Sequence, residues 1–304
     1  MEVVPGTPVD ALETPAPLVD LERLERNLDR WQGVLDAAGV RLRPHVKTHK
    51  IPAIAAMQLE RGAAGIAAAK LAEASVFAAH GARDVVVAYP VVGREKWRRA
   101  AALAAEGVRL TVNVESPVGA AGLSEAALER GVRIGVQLEI DTGLGRVGIE
   151  PSALDEIMAL ALLVERLPGL ELEGITTHRG MGFAGAEGLT PAEAGEEEGR
   201  VLVELASLLR ERGVPVREVT AGGTITGRSV AAVPGITEVR AGTYAFNDLM
   251  QLRYGSATED DLAFSILCTV VSRRGGRATV DGGSKTWSGD VRLPREGRPG
   301  TTIV

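Results

Sequence analysis

Apolar positions in this chain repeat with two periods that alternate along its length. Leu21, Leu24, Leu28, Trp31 and Leu35 stand three or four residues apart, which draws a single apolar stripe down a helix. Short β-branched runs follow such stripes, and a glycine marks the junctions, at Gly39, Gly62, Gly81, Gly107, Gly131, Gly169 and Gly213. Glycine there closes a helix in the left-handed conformation. One helix start is also legible, with Thr190 as N-cap, Pro191 as first helical residue and Glu193 as reciprocal capping side chain, ahead of Leu202, Leu205, Ala206 and Leu209.

The β-branched runs predict strands over roughly 41–46, 64–69, 84–89, 108–113, 132–140, 170–177, 216–220 and 236–240. Strands separated by helices pair in parallel through right-handed crossovers, and eight such units close most naturally into an α/β fold of the (β/α)8 TIM-barrel type. An open doubly wound sheet is the alternative. The barrel is expected over residues 14–250. From 251 to 304 the pattern turns to strand-like segments, Leu262 to Ser272 and Arg277 to Asp281, and then to a polar run from Arg295 to Gly300. This predicts a partial, shortened C-terminal β domain, with residues 1–13 irregular or paired with it.

Composition narrows the function. The chain has 304 residues, a formal net charge of -6 at pH 7 and one cysteine, Cys268. A nucleic-acid track needs clustered positive charge, so nucleic acid is excluded as a partner and small-molecule chemistry is expected. A lone cysteine rules out an internal disulfide framework. Met1 to Pro5 lacks a basic segment followed by an apolar run, and stretches such as Val85 to Val92 fall short of the about 20 residues that span a bilayer. The expected location is cytoplasmic, with no membrane partner.

Active sites in barrels of this kind sit at the C-terminal ends of the strands. Lys47, Lys70, Tyr89, Asn113, Asp141, His178, the Gly222-Gly223-Thr224 turn, Arg240 and Tyr244 all fall at or just past those ends. Two of the five lysines and two of the four histidines crowd into Pro44-His45-Val46-Lys47-Thr48-His49-Lys50. Alternation puts Arg43, His45 and Lys47 on one face, aimed into the barrel. A lysine becomes a nucleophile toward carbonyls when desolvation or nearby cations lower its pKa, and His45, Arg43 and Lys50 are candidates for the second effect. A solvated basic loop is the competing reading, and His49 and Lys50 read as surface or supporting residues. Ala221-Gly222-Gly223-Thr224 and Arg240-Ala241-Gly242-Thr243-Tyr244 follow the last two barrel strands, where glycine-rich turns build a phosphate site from backbone amides. A lysine across a barrel mouth from a phosphate cup is the pattern expected for pyridoxal phosphate, whose aldehyde and phosphate must be held apart.

At this point the chain resembles the alanine-racemase-type (fold type III) pyridoxal phosphate enzymes, and more closely their D-threonine aldolase and D-serine dehydratase branch. The similarity runs from about Thr14 to Asp290, and its most specific motif is Arg43-Pro44-His45-Val46-Lys47-Thr48-His49-Lys50. Ala88 to Gly93, Asp141 to Gly148 and Asp281 to Lys285 also match the pattern. The resemblance implies that Lys47 holds the cofactor as a Schiff base and, with His178, is catalytic. It further implies that His178 lies against the cofactor ring, with His45 and Arg146 beside it and Arg240 near the pyridine edge. Gly222, Gly223, Thr224, Gly242, Thr243 and Tyr244 correspond to the phosphate-binding positions. On local grounds His178 reads equally as a neutral core histidine, and Arg146 as an ion-pair partner of Asp141.

The chain departs from the family pattern in two places. Gly180-Met181-Gly182-Phe183 stands where relatives carry a Gly-His-Ser-Tyr-like run, and no histidine follows His178, so the family's C-terminal His-x-Cys or His-x-Asp metal pair is not found. A divalent metal belongs to the family, yet Asp281, Asp290 and Cys268 lack ligand spacing and no metal is assigned. The activity implied is a lyase of D-configured β-hydroxy amino acids. Lys47 would remove the α-proton while the β-hydroxyl leaves, as in D-serine dehydration, or the Cα–Cβ bond would break to give glycine and an aldehyde, as in D-threonine aldolases. The alternatives are a non-catalytic pyridoxal phosphate carrier or inactive shortened relative, a racemase, for which no second base is identified, and a metal-free barrel acting on sugar phosphates, which leaves Lys47 unexplained. A homodimer is expected, because relatives complete the pocket with a neighbouring subunit.

Overall fold

A computed structural model describes residues 4–182 and 186–287. Strand β1 (Ala16–Val19) and helix α1 (Leu21–Ala38) precede a ring of eight strands. The ring comprises β2 (Arg41–Leu42), β3 (Ile66–Ala68), β4 (Asp84–Val87), β5 (Arg109–Val114), β6 (Ile134–Glu139), β7 (Leu170–Thr176), β8 (Glu218–Ala221) and β9 (Glu238–Val239). Between them run α2 (Pro52–Glu60), α3 (Leu71–Ala79), α4 (Arg94–Ala105), α5 (Pro117–Glu129), α6 (Leu154–Arg166), α7 (Pro191–Glu211) and α8 (Gly227–Ala231). The strands are parallel in the order β2-β9-β8-β7-β6-β5-β4-β3. The remaining seam closes through a bridge from His45 to Ala67, where Ala67 N donates to Pro44 O at 2.8 Å and Val46 N to Ala67 O at 2.9 Å. The eight parallel units expected from the sequence are therefore a barrel and not an open sheet.

Regular pairing of the first barrel strand with β9 ends at Leu42 instead of 46. The stretch stays attached to its neighbour through Arg43 N to Val239 O at 2.9 Å and His45 N to Ala241 O at 2.8 Å. Six of the seven junction glycines have positive φ, from 65° at Gly131 to 103° at Gly62. Gly169 differs: a Cβ there would stand 2.4 Å from Ser124 O, so its small size lets the start of β7 lie against α5. The capping box at Thr190 and Glu193 forms as expected at the head of α7.

Apolar burial lies mainly between strands and helices, where Leu24, Leu28, Trp31 and Leu35 of α1 join Val85, Val87, Leu172 and Leu205 in one cluster. The interior of the ring is polar. At its lower end Arg43 meets Glu238 at 2.9 Å and Asp84 at 2.6 Å, and Arg109 meets Asp84 and Glu173, both at 2.7 Å. Thr111 donates to Glu173 at 2.9 Å. Buried Arg43, Glu238 and Glu173 are thus paired, as buried charges must be, while Arg109 reaches in from the exposed rim. The upper layer, Asn113, Glu139, Thr176 and Arg240, is buried beneath the strand ends.

Beyond the ring follow α9 (Leu249–Arg253) and three antiparallel strands, β10 (Phe264–Leu267), β11 (Val270–Arg274) and β12 (Arg277–Val280). The segment expected as one strand from Leu262 to Ser272 is thus divided at Cys268 and Thr269. β10 pairs with β1, and β11 with β12. The N-terminal partner of this region is therefore Ala16–Val19, whereas residues 4–13 contain a 3-10 turn, Val9–Ala11. Thr14 Oγ1 donates to Asp281 at 2.5 Å and fastens the hairpin to the start of β1. Among the described residues no helix is long and apolar enough to cross a membrane.

Candidate active site

The C-terminal ends of the strands enclose one cavity. Lys47 and His45 enter it from the loop after β2, Glu139 and Arg146 from β6 and the turn beyond, and His178 from β7. Gly222, Gly223 and Thr224 line it after β8, with Arg240, Gly242 and Thr243 after β9. Of the residues the resemblance assigned to catalysis or the cofactor, all but Tyr244 are in that lining, whereas the strand-end residues Lys70, Tyr89, Asn113 and Asp141 are not. Tyr244 is fully buried outside it: its ring packs 5.2 Å from Trp31, and its hydroxyl accepts from Gln58 Nε2 at 3.0 Å. Its amide donates to Thr224 Oγ1 at 3.1 Å, so neither group faces the cavity.

Lys47 stands open to water at the mouth while protein surrounds its remaining sides, and its backbone N–H donates to His45 Nδ1 at 3.4 Å. Burial lowers the amine's pKa, and the Arg146 and Arg240 charges add to the effect against an opposing pull from Glu73. The cations expected in this role are elsewhere. Arg43 is bound to Glu238 and Asp84 at the far end of the barrel, and Lys50 pairs with Glu73 at 3.2 Å. Burial, then Lys47 and Arg240, hold His45 well below its ordinary range, so it is a neutral neighbour. His49, expected at the surface or in a supporting place, is buried with 7 % of its area exposed, and its Nδ1 accepts from Ile51 N at 3.0 Å.

His178 is likewise neutral. Burial, followed by the Lys47, Arg240 and Arg146 charges, brings its pKa down to about 3. Its ring edges the glycine turn, because a Cβ on Gly223 would come within 3.2 Å of His178 Cε1. Thr224 Oγ1 accepts from Gly242 N at 3.3 Å as well as from Tyr244 N, which ties the two glycine turns into one cup. Buried Glu198 supports it from behind, accepting from Arg179 N at 2.9 Å, Thr226 Oγ1 at 3.2 Å and Gly222 N at 3.4 Å. Among the described residues the amides of Gly223, Thr224 and Thr243 have no protein acceptor.

Arg240 is buried, with Nη2 donating to Thr176 Oγ1 and to Thr177 O at 3.3 Å, whereas buried Nη1 has no partner among the described residues. A buried guanidinium N–H that opens on a polar cavity is a donor suited to an acceptor bound there. Arg146 lies over the Tyr89 ring at 5.7 Å. The Asp141 carboxylate instead accepts from Gly143 N at 2.9 Å and Gly145 N at 3.1 Å, so the local ion pair does not form.

Glu139 and Glu198 escaped the sequence reading. The signal for Glu139 was present, since Gln137 and Glu139 put polar groups on the inner face of a strand whose Val136 and Leu138 face the helices. Glu198 is buried on α7 and carries no comparable mark. Of the departing run, Gly180, Met181 and Gly182 are described, while Phe183 and Asp290 lie outside the described residues. Among those described, no three His, Cys, Asp or Glu side chains gather as metal ligands.

Residues 19–249 match the family described as alanine racemase, N-terminal domain. The chain is 35% identical to D-threo-3-hydroxyaspartate dehydratase of a Delftia species over 94% of its own length and 75% of that protein. It is 35% identical to D-threonine aldolase of an Arthrobacter species over 99% of this chain and 79% of the other. The crystal structure of D-threonine aldolase from Filomicrobium marinum superposes with a TM-score of 0.84 at 33% identity, covering 91% of this chain and 75% of that one.

Proposed function

This chain belongs to the alanine racemase N-terminal domain family, and from that premise we propose that it is a pyridoxal phosphate-dependent lyase of D-configured β-hydroxy amino acids. One observation carries the reading: a lysine amine of lowered pKa, a buried guanidinium N–H without an acceptor and a glycine-lined set of free amides all open on the same cavity. The three fit a single molecule that is an aldehyde at one end, a ring with a basic nitrogen in the middle and a phosphate at the other. Lys47 would hold it covalently, His178 would lie against the ring, Arg240 Nη1 would donate to the ring nitrogen, and the Gly223, Thr224 and Thr243 amides would receive the phosphate.

When bound, the cofactor supplies a sink for negative charge at the substrate α-carbon. Lys47 would be the residue to remove or return a proton at that carbon, and its lowered pKa keeps more of it in the neutral, basic form. His45 and His178 are uncharged at neutral pH and add no repulsion to the amine. Arg146, exposed at the mouth and without a carboxylate partner among the described residues, would receive the substrate carboxylate. The Delftia and Arthrobacter relatives are named for hydroxyl loss and for aldol cleavage respectively, so both 3-hydroxyaspartate and threonine in the D configuration belong in the assay. A homodimer fits the half-exposed Tyr89, which stacks with Arg146 at the mouth, and sedimentation tests it.

The experiment is reconstitution with pyridoxal phosphate, borohydride trapping and peptide mapping, followed by incubation with the D and L substrates. We expect label on Lys47, with keto acid or aldehyde released from D substrates and none of either after Lys47→Ala. Label on another lysine, or turnover of L substrates alone, refutes the proposal.

A further inference from the structure

Glu139 is the sole carboxyl group among the described residues that line the cavity, and the mechanism above does not use it. It ends β6 at 3 % exposure, with one oxygen accepting from Asn113 Nδ2 on β5. Its partner in register on β7 is Thr176, whose hydroxyl accepts from Arg240. Glu139 and Arg240 therefore flank the same threonine from opposite sides. They form no direct ion pair, since Arg240 engages Thr176 and Thr177 while Glu139 engages Asn113. Even so, each is the foremost charge acting on the other.

We propose that Glu139 is a positioning residue for the cofactor: its ionisation sets how strongly Arg240 donates to the ring nitrogen. This rests on the reading that the cavity holds pyridoxal phosphate. The physical reason is that a guanidinium compensated by a carboxylate in a low-dielectric cavity polarises an acceptor less than one left uncompensated. Glu139 can act as a switch because burial outweighs the attraction of Arg240, the Asn113 hydrogen bond and the attraction of Arg146, and raises its pKa to about 7. Glu115, at the end of β5, adds a further upward push by like-charge repulsion. As pH rises through that value Glu139 gains its charge, and Arg240 donates less strongly.

The test is the visible absorbance of the reconstituted holoprotein as a function of pH. For wild type we expect the spectrum to change with a midpoint near 7, and for Glu139→Gln, which keeps the shape and the Asn113 contact, loss of that transition. Glu139→Asp should restore a transition at a displaced midpoint. Asn113→Ala, which removes a bond favouring the ionised form, should move it upward and serves if the Gln variant does not fold. A purely structural Glu139 predicts the wild-type midpoint in Glu139→Gln, and that result overturns the proposal while leaving the lyase reading intact. Failure of the wild type itself to bind the cofactor overturns both.

Discussion

Replacing Gly242 by alanine tests whether the cofactor cup and the lysine loop are one packed unit. The backbone there has φ of -136°, outside the left-handed region that favours glycine. Space is the obstacle. An added Cβ would stand 2.6 Å from His45 O, 3.0 Å from His45 Cβ and 3.1 Å from Thr48 Oγ1. A carbon-to-oxygen contact settles at about 3.3 Å or more, so the two turns must separate by roughly 0.7 Å. His45 N is bonded to Ala241 O at 2.8 Å beside that point, and the separation strains this bond too. Overpacking costs about 1–3 kcal/mol and a weakened hydrogen bond about 1 kcal/mol, so we expect Gly242→Ala to destabilise the apoprotein by about 2–4 kcal/mol in urea unfolding. Because Lys47 lies between the two displaced residues, covalent cofactor uptake should fall as well. Gly33 in α1 is the control: nothing lies within 4 Å of its added Cβ, and Gly33→Ala should gain about 0.5–1 kcal/mol. A Gly242→Ala protein within about 0.5 kcal/mol of wild type, short of the overpacking range, that loads cofactor normally would refute the reasoning.

Tyr244→Phe should destabilise by about 1–3 kcal/mol, because Gln58 Nε2 loses a buried acceptor, yet leave cofactor affinity unchanged in a spectroscopic titration; a weakened affinity would return Tyr244 to the site. Glu238→Ala leaves the Arg43 guanidinium short of a buried partner and should cost about 3–5 kcal/mol by chemical denaturation, with little dependence on salt. Glu139 and His49 should give apoprotein stability opposite slopes with pH. Glu139, raised from 4.5 to about 7, contributes stability that is full below 4.5 and lost as pH rises through 7, and Glu139→Gln should flatten that limb. His49, lowered from 6.5 to about 4, contributes stability that is full above 6.5 and lost as pH falls toward 4, and His49→Asn should flatten that one. Each limb is worth up to about 3 kcal/mol, and unchanged slopes in either variant would contradict its assignment.

The alternation of period, the capping box at Thr190 and the left-handed glycines are local properties, set by residues within a turn or two of one another, and the sequence by itself determined them. The eight-unit count followed from the same patterns, and Lys47 with the two glycine turns was legible because strand ends are where this architecture puts its chemistry. The tertiary structure alone decided which polar groups meet. Arg43 and Lys47 share one inward face, yet Arg43 reaches Glu238 and Asp84 on other strands at the closed end while Lys47 opens on the mouth. Tyr244 turns toward Trp31, β10 finds β1, and Glu139 comes to flank Thr176 opposite Arg240. These outcomes depend on the register of strands far apart in the chain and on which side of a turn leaves room for a side chain. Neither quantity is written in the spacing of nearby residues.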